Sequence, residues 1–119
     1  MRPPARLLNR DRGTVVAEDL AIARRPWSRM VGLLFRRSLS QGQGLLLTPC
    51  SSIHTLFMLF PIDVLFFDKE WKVVKTVADL RPFRLALGGR GARACAELPA
   101  GTIARSGTKA GDQLLVEGP

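Results

Sequence analysis

The sequence predicts a mainly β (α+β) fold, rich in antiparallel pairing, with one amphipathic helix packed on the sheet. Three observations carry this reading. Apolar residues fall in short segments separated by turn signals at hairpin distance, which favours antiparallel strands. One stretch alone shows clear helical spacing over more than two turns. The 119 residues, 46% hydrophobic and 24% charged, fit one domain able to bury a core without disulfides or a structural metal. The same length excludes a two-domain enzyme, a TIM barrel and a full dinucleotide-binding fold.

The elements follow in order. After a Pro-containing tail over residues 1–4, Ala5–Asn9 and Thr14–Ala17 flank Asp11-Arg12-Gly13, a turn signal, and read as a hairpin. Leu20–Ala23 continues the second strand beyond a kink. Pro26 opens the helix, where Trp27, Met30, Val31, Leu34 and Phe35 fall at i, i+3, i+4, i+7 and i+8, one helical face. Leu45–Leu47 reads as a strand ended by Pro49. Ile53–Phe60 reads as a strand apolar on both faces, with Ile53, Thr55, Phe57 and Leu59 opposite His54, Leu56, Met58 and Phe60. Ile62–Phe67 is a continuous apolar strand broken only by Asp63. Asp68-Lys69-Glu70 turns the chain into a strand that begins at Trp71 and runs to Val77. Residues 81–93 read as a loop, Ala94–Leu98 as a strand, and Pro99-Ala100-Gly101 as a turn into a short helical piece ending at Arg105. Gly111-Asp112 turns into the last strand, Gln113–Glu117. The expected core is Trp27, Met30, Val31, Leu34, Phe35, Phe57, Leu65, Phe67 and Val73.

The net charge is +8, and it is unevenly distributed. Residues 1–37 carry +6, residues 38–80 carry −1 and residues 81–119 carry +3. Such a balance attracts nucleic acid, anionic membranes or anionic metabolites. No run exceeds two consecutive basic residues, however, and the arginines fall on three separate elements, so a dispersed solvated surface is favoured. Cys50 and Cys95 are too few for a disulfide framework and read as unbonded thiols. The N-terminal residues lack the apolar stretch of a secretory signal, and no segment has the ~18 apolar residues of a membrane span. The expected location is the cytoplasm.

The stretch from Cys50 to Asp68 holds the one histidine, a cysteine and an aspartate inside an apolar strand. Cys50 and His54 lie about 13 Å apart along a strand at ~3.3 Å per residue, so a shared metal would require the chain to fold back between them. No metal and no cofactor is expected. Ser51, Ser52 or Cys50 with His54 and Asp63 supply the residue types of nucleophilic catalysis, but there is no G-x-S-x-G elbow and no phosphate loop around Gly88-Gly89-Arg90-Gly91. Asp63 is the most informative residue. A buried carboxylate is costly unless paired, so it needs His54, Arg36, Arg81 or backbone N–H groups. It either fixes the Phe60-Pro61-Ile62 corner or lines a pocket. Glu97, a single carboxylate in an apolar strand, poses the same question.

Several segments together resemble the DUF192 (UPF0127) family of uncharacterised proteins: Gly32-Leu33-Leu34-Phe35-Arg36; Gly44-Leu45-Leu46-Leu47; the run from His54-Thr55 through Met58 to Pro61-Ile62-Asp63; Glu97-Leu98-Pro99-Ala100-Gly101-Thr102; and Gly111-Asp112. The resemblance spans about residues 14–117, which are taken as one domain, with 1–13 as an N-terminal tail and first strand. It implies a compact barrel or jelly-roll-like sandwich carrying the helix. Leu59 stands where similar sequences usually have a basic residue. Carried over by motif, the candidate ligand-binding residues are Arg36, His54, Thr55, Met58, Asp63 and Glu97.

The favoured function is a module that binds a small molecule or peptide in a polar cleft around His54, Asp63 and Glu97. One alternative is a small hydrolase or lyase using His54 with Asp63 or Glu97 as acid and base. The other is a nucleic-acid or anionic-surface binder working through the Arg-rich ends. No oligomeric state follows from the sequence.

Overall fold

A computed structural model describes residues 5–24, 38–55 and 58–118. The expected helix opened by Pro26 lies outside the described residues, as do Arg36 and the core candidates Trp27, Met30, Val31, Leu34, Phe35 and Phe57.

Strands β1 (Ala5–Asn9) and β2 (Thr14–Ala23) form the expected hairpin. Its turn is held from within, because the Arg12 N–H donates to the Asn9 side-chain oxygen at 3.0 Å. The Gly13 N–H donates to the Asn9 carbonyl at 2.9 Å. Gly13 has φ 67, a left-handed value that a glycine adopts without a Cβ penalty. β2 runs unbroken through Ala23, and the irregularity expected near Leu20 appears as register shifts against β1.

Strand β3 (Gln43–Leu47) pairs with β2 in parallel. A parallel neighbour cannot be reached through a hairpin and needs a crossover of a dozen or more residues, which the 24–42 connection supplies. The other pairings are antiparallel: β4 (Ser52–His54) with β7 (Leu85–Leu87), and β5 (Ile62–Phe67) with both β6 (Val73–Leu80) and β8 (Ala94–Pro99). β3 also pairs with β8, and β1 with β9 (Leu114–Glu117). A five-residue helix, α1 (Thr102–Ser106), follows β8.

Seven strands form one sheet in the order β6-β5-β8-β3-β2-β1-β9. It curls into a half-barrel whose outer strands meet at one end: Val73 N–H donates to the Asp112 carbonyl at 2.9 Å, Gly111 N–H to Val73 at 2.7 Å and Leu114 N–H to Trp71 at 3.0 Å. Leu7, Leu20, Leu46, Leu65, Phe67, Val73, Leu98 and Leu114 belong to a cluster that draws on all seven strands and fills the inside. Leu65, Phe67 and Val73 are buried as the sequence predicts.

A second cluster lies on the opposite face of β3, β5 and β8. Leu47, Ile62, Val64, Phe66 and Cys95 are covered there by Ile53 and Ala86 from the two-stranded β4–β7 sheet. Burial on both faces explains why β5 and β8 read as continuous apolar runs rather than alternating ones.

Two expectations are corrected. Ile53–Phe60 is not one strand; β4 ends at His54. The chain turns away at buried Thr55, whose hydroxyl donates to the Arg81 carbonyl at 2.6 Å and accepts from the Arg84 N–H at 2.8 Å. Residues 81–93 are not all loop, because these bonds bring Leu85–Leu87 alongside β4 as β7. Three residues are too few to display a period, so β7 left no sequence signal.

Candidate functional site

Asp63 and Glu97 sit on neighbouring strands and point in opposite directions. In the β5–β8 ladder Asp63 pairs with Leu98, and Glu97 pairs with Val64. Side chains alternate along a strand, so Asp63 shares the inner face with Leu65 and Leu98. Glu97 shares the outer face with Val64 and Cys95. The two carboxylates therefore do not line one cleft.

Asp63 is buried, and both of its oxygens are engaged. Oδ1 accepts the Asp79 N–H at 2.9 Å, and Oδ2 accepts the Ile103 N–H at 2.8 Å. Asp79 has φ 53, a left-handed conformation that costs a non-glycine residue energy. Ile103 is in the first turn of α1, whose preceding residue, Gly101, makes no side-chain cap bond. Asp63 thus acts as a remote cap for α1 and a clamp on the end of β6. Its partners are backbone N–H groups, as the sequence allows, but they lie 16 and 40 residues away rather than at the Pro61 corner.

Glu97 is also buried, yet its Oε2 has no hydrogen-bond partner among the described residues. Burial, reinforced by the neighbouring Cys50 thiol group, pushes its carboxyl up to about 8. The group is therefore mostly protonated at neutral pH, an acid held in apolar surroundings.

His54 is exposed on β4 because Ile53 takes the inward position. It bonds to no carboxylate among the described residues. Thr55 is buried but spends its hydroxyl on the 81–84 loop. Met58 belongs to the outer-face cluster, and Leu59 is 61% exposed. Among the described residues no group of three or more His, Cys, Asp and Glu side chains could hold a metal ion.

Sequence reasoning missed the place where side chains do converge. Leu47 pairs with Cys95, so the chain leaving β3 stays beside the start of β8. Its Cys50 N–H donates to the Arg93 carbonyl at 2.8 Å. The sulfurs of Cys50 and Cys95 consequently lie 2.9 Å apart, with no bond joining them in this structure. The Cys50 hydrogen bond, then burial, then the charges of Cys50 and Glu97 all push the Cys95 thiol up. Cys50 also forms part of the wall of an open cavity of about 320 Å³ lined by Pro49, Cys50, Ser51, Ala92 and Arg93. The Cys95-x-Glu97 spacing was the available signal, since i and i+2 share a face of a strand. Its meeting with Cys50 was not encoded locally.

The sequence profile of DUF192, an "Uncharacterized ACR", matches residues 7–116. The chain belongs to the DUF192 family. A UPF0127 protein of Thermococcus sibiricus is 30% identical over 112 residues, covering 91% of this chain and 72% of that protein. Two crystal structures share the fold. One, a protein of unknown function from Novosphingobium aromaticivorans, has a TM-score of 0.81 at 22% identity and covers 96% of this chain and 84% of its own. The other, described as a candidate transcription regulator from Sinorhizobium meliloti, has a TM-score of 0.79 at 24% identity and covers 99% and 94%. DUF192 is a family of unknown function, so within it the chemistry must be read from this chain's own residues. No helix among the described residues is long and apolar enough to cross a membrane.

Proposed function

We propose that this DUF192 domain is a binding module for a small molecule bearing an anionic group, taken into the cavity between the Pro49–Ser51 segment and Ala92–Arg93. The observation that carries this reading is the cavity itself: about 320 Å³, open to solvent, and lined by Pro49, Cys50, Ser51, Ala92 and Arg93. That volume lies at the lower end of small-ligand sites, which are typically ~300–1,000 Å³ with a few converging polar groups. The walls are anchored. Cys50 N–H is bonded to the Arg93 carbonyl, and Arg93 N–H to Phe67 in β5 at 2.7 Å.

An acid–base enzyme is not favoured, because His54 has no carboxylate partner among the described residues and Asp63 has both oxygens committed. A nucleic-acid surface has less support than the cavity. Arg6 pairs with Glu18 and Glu117, and Arg12 with Asp112. Arg105 is turned onto the Val15 and Val16 carbonyls. We place the module in the cytoplasm, which fractionation of a tagged full-length chain tests.

The binding test is an NMR titration with small carboxylates and phosphates, with duplex DNA as a control. We expect shifts at Ser51, Cys50 and Arg93, and about tenfold weaker binding in Arg93→Ala, the loss of one charge-assisted contact. Perturbation confined to the Asp63–α1 end, or tighter binding of DNA than of any small anion at physiological salt, would overturn the reading.

A further inference from the structure

We propose that Cys50 and Cys95 form a redox-active dithiol: the pair closes reversibly to an intramolecular disulfide when a low-molecular-weight disulfide oxidises it. The inference stands on geometry and does not depend on whether the cavity binds a ligand. The sulfurs are 2.9 Å apart, and a disulfide bond is ~2.05 Å long, so roughly 0.9 Å of movement separates contact from bond. The movement falls on a loop residue rather than on the sheet. Cys50 follows β3 in the Pro49–Ser51 segment, whereas Cys95 is fixed in the β8 ladder between Leu47 and Phe66.

The two thiols differ in access, which assigns their order of reaction. Cys50 lies in the cavity wall, and Cys95 is completely buried. An oxidant therefore meets Cys50 first. The Cys95 S–H points at the Cys50 sulfur as a hydrogen-bond donor, and the Cys50 S–H points at the Ser52 carbonyl at 3.2 Å. The attacking form in exchange chemistry is the thiolate, and access gives that role to Cys50. The hydrogen bond to Cys50, with burial, keeps Cys95 protonated until the second step.

The steps balance. The Cys50 thiolate attacks one sulfur of R–S–S–R; the S–S bond breaks, a mixed disulfide forms and R–S⁻ leaves to take up the proton that Cys50 lost. Cys95 then loses its proton and attacks the Cys50 sulfur. The mixed disulfide breaks, and the second R–S⁻ leaves with that proton. Two protein thiols are oxidised to one disulfide, and the oxidant is reduced to two thiols.

The product would tie residue 50 to residue 95, stapling the segment after β3 to β8 along the cavity wall. Closing a loop of that length constrains the unfolded chain, and a rise in Tm of roughly 5–15 °C is expected.

The test uses the full chain, reduced and then equilibrated in glutathione buffers of increasing oxidised fraction. It is then quenched by alkylation under denaturing conditions and weighed. The expected result is a monomer two hydrogens lighter, with neither cysteine alkylated and a raised Tm. Cys95→Ser should stop at a single glutathione adduct on Cys50, because the resolving thiol is gone. Cys50→Ser should leave Cys95 unmodified while the chain is folded. Should either serine variant fail to fold, the corresponding alanine variant takes its place. Two alkylated cysteines in the wild type even in oxidised glutathione alone, or oxidation only to disulfide-linked dimers, would overturn the proposal. So would glutathione adducts on Cys95 in the Cys50 variant.

Discussion

Asp63 and Glu97 are two carboxylates buried side by side in a β-ladder, yet their situations are opposite. Asp63 faces the inside of the half-barrel and holds two backbone N–H groups at 2.9 and 2.8 Å. Glu97 faces the outer cluster with an oxygen that no described group satisfies. The difference teaches that burial alone does not mark a chemically available acid. The decisive point is whether the lone pairs are already taken. A carboxylate that satisfies the backbone is a structural part, while one buried among apolar side chains and sulfur keeps its proton near neutrality and remains able to exchange it.

The comparison is most sharply broken by pH. Burial pushes the Glu97 carboxyl up from its ordinary 4.5 to about 8 in the folded chain, so the folded state holds the extra proton between these values. Stability is then greatest below the unfolded pKa and falls as pH rises towards the folded one, by a total of the order of 5 kcal/mol. Urea unfolding at pH 4.5, 6 and 8 should show this decline, and Glu97→Gln should flatten it. An unchanged slope in the variant would place the titration elsewhere.

Asp63→Ala should cost about 2–4 kcal/mol, since it removes a buried carboxylate and leaves the partly buried N–H groups of Asp79 and Ile103 without their acceptor. Chemical denaturation measures the loss. Hydrogen exchange should localise it, with Ile103 and Asp79 amides losing protection and the β4–β7 amides keeping theirs. Unaltered thermal stability would mean that water replaces the carboxylate without cost.

Gly88→Ala acts on the Glu97 side alone. A Cβ there would stand 2.5 Å from Ala92 Cβ and 2.6 Å from Phe66 Cδ1, closer than atoms pack, and about 1–3 kcal/mol of destabilisation is expected. If the β4–β7 sheet shifts to relieve the clash, water reaches Glu97 and its titration moves down towards the ordinary carboxylate range. An NMR pH titration of Glu97 in the variant measures that shift.

The smallest effect belongs to a third carboxylate, Asp112. Burial raises its pKa, but hydrogen bonds from Arg12, Asn9 and the Lys109 N–H outweigh this and leave it at about 2. Its contribution is present above the ordinary Asp pKa and is lost as pH falls through the folded value. Asp112→Asn should cost about 1 kcal/mol at pH 7 and progressively less as pH falls from about 4 through 2, as an acid-unfolding series would show.

The cysteines and His54 show where local reading stops. The strand expected over Trp71–Val77 was legible from Val73 on, because polar and apolar residues alternate, but Trp71, with φ 65, belongs to the turn before it. The Asn9–Thr14 turn was legible from Asp11-Arg12-Gly13. Cys50 and Cys95, 45 residues apart, carried no local mark of their meeting. His54 looked central within the stretch from Cys50 to Asp68 but is exposed, because Ile53 and Ala86 take the inward positions.

By itself the sequence determined the local physics: where apolar runs make strands, where Gly and Pro end them, and that a carboxylate inside the Ile62–Phe67 run must have a partner. Tertiary structure alone decided which partner, and which carboxylate kept an oxygen that no described residue satisfies. The reason lies in β5 and β8. Their six residues each are buried on both faces, so hydrophobic alternation carries no information about which face is which or about register. Only the pairing of β8 with β5 and β3 sends Asp63 towards α1 and sets Glu97 and Cys95 facing Cys50.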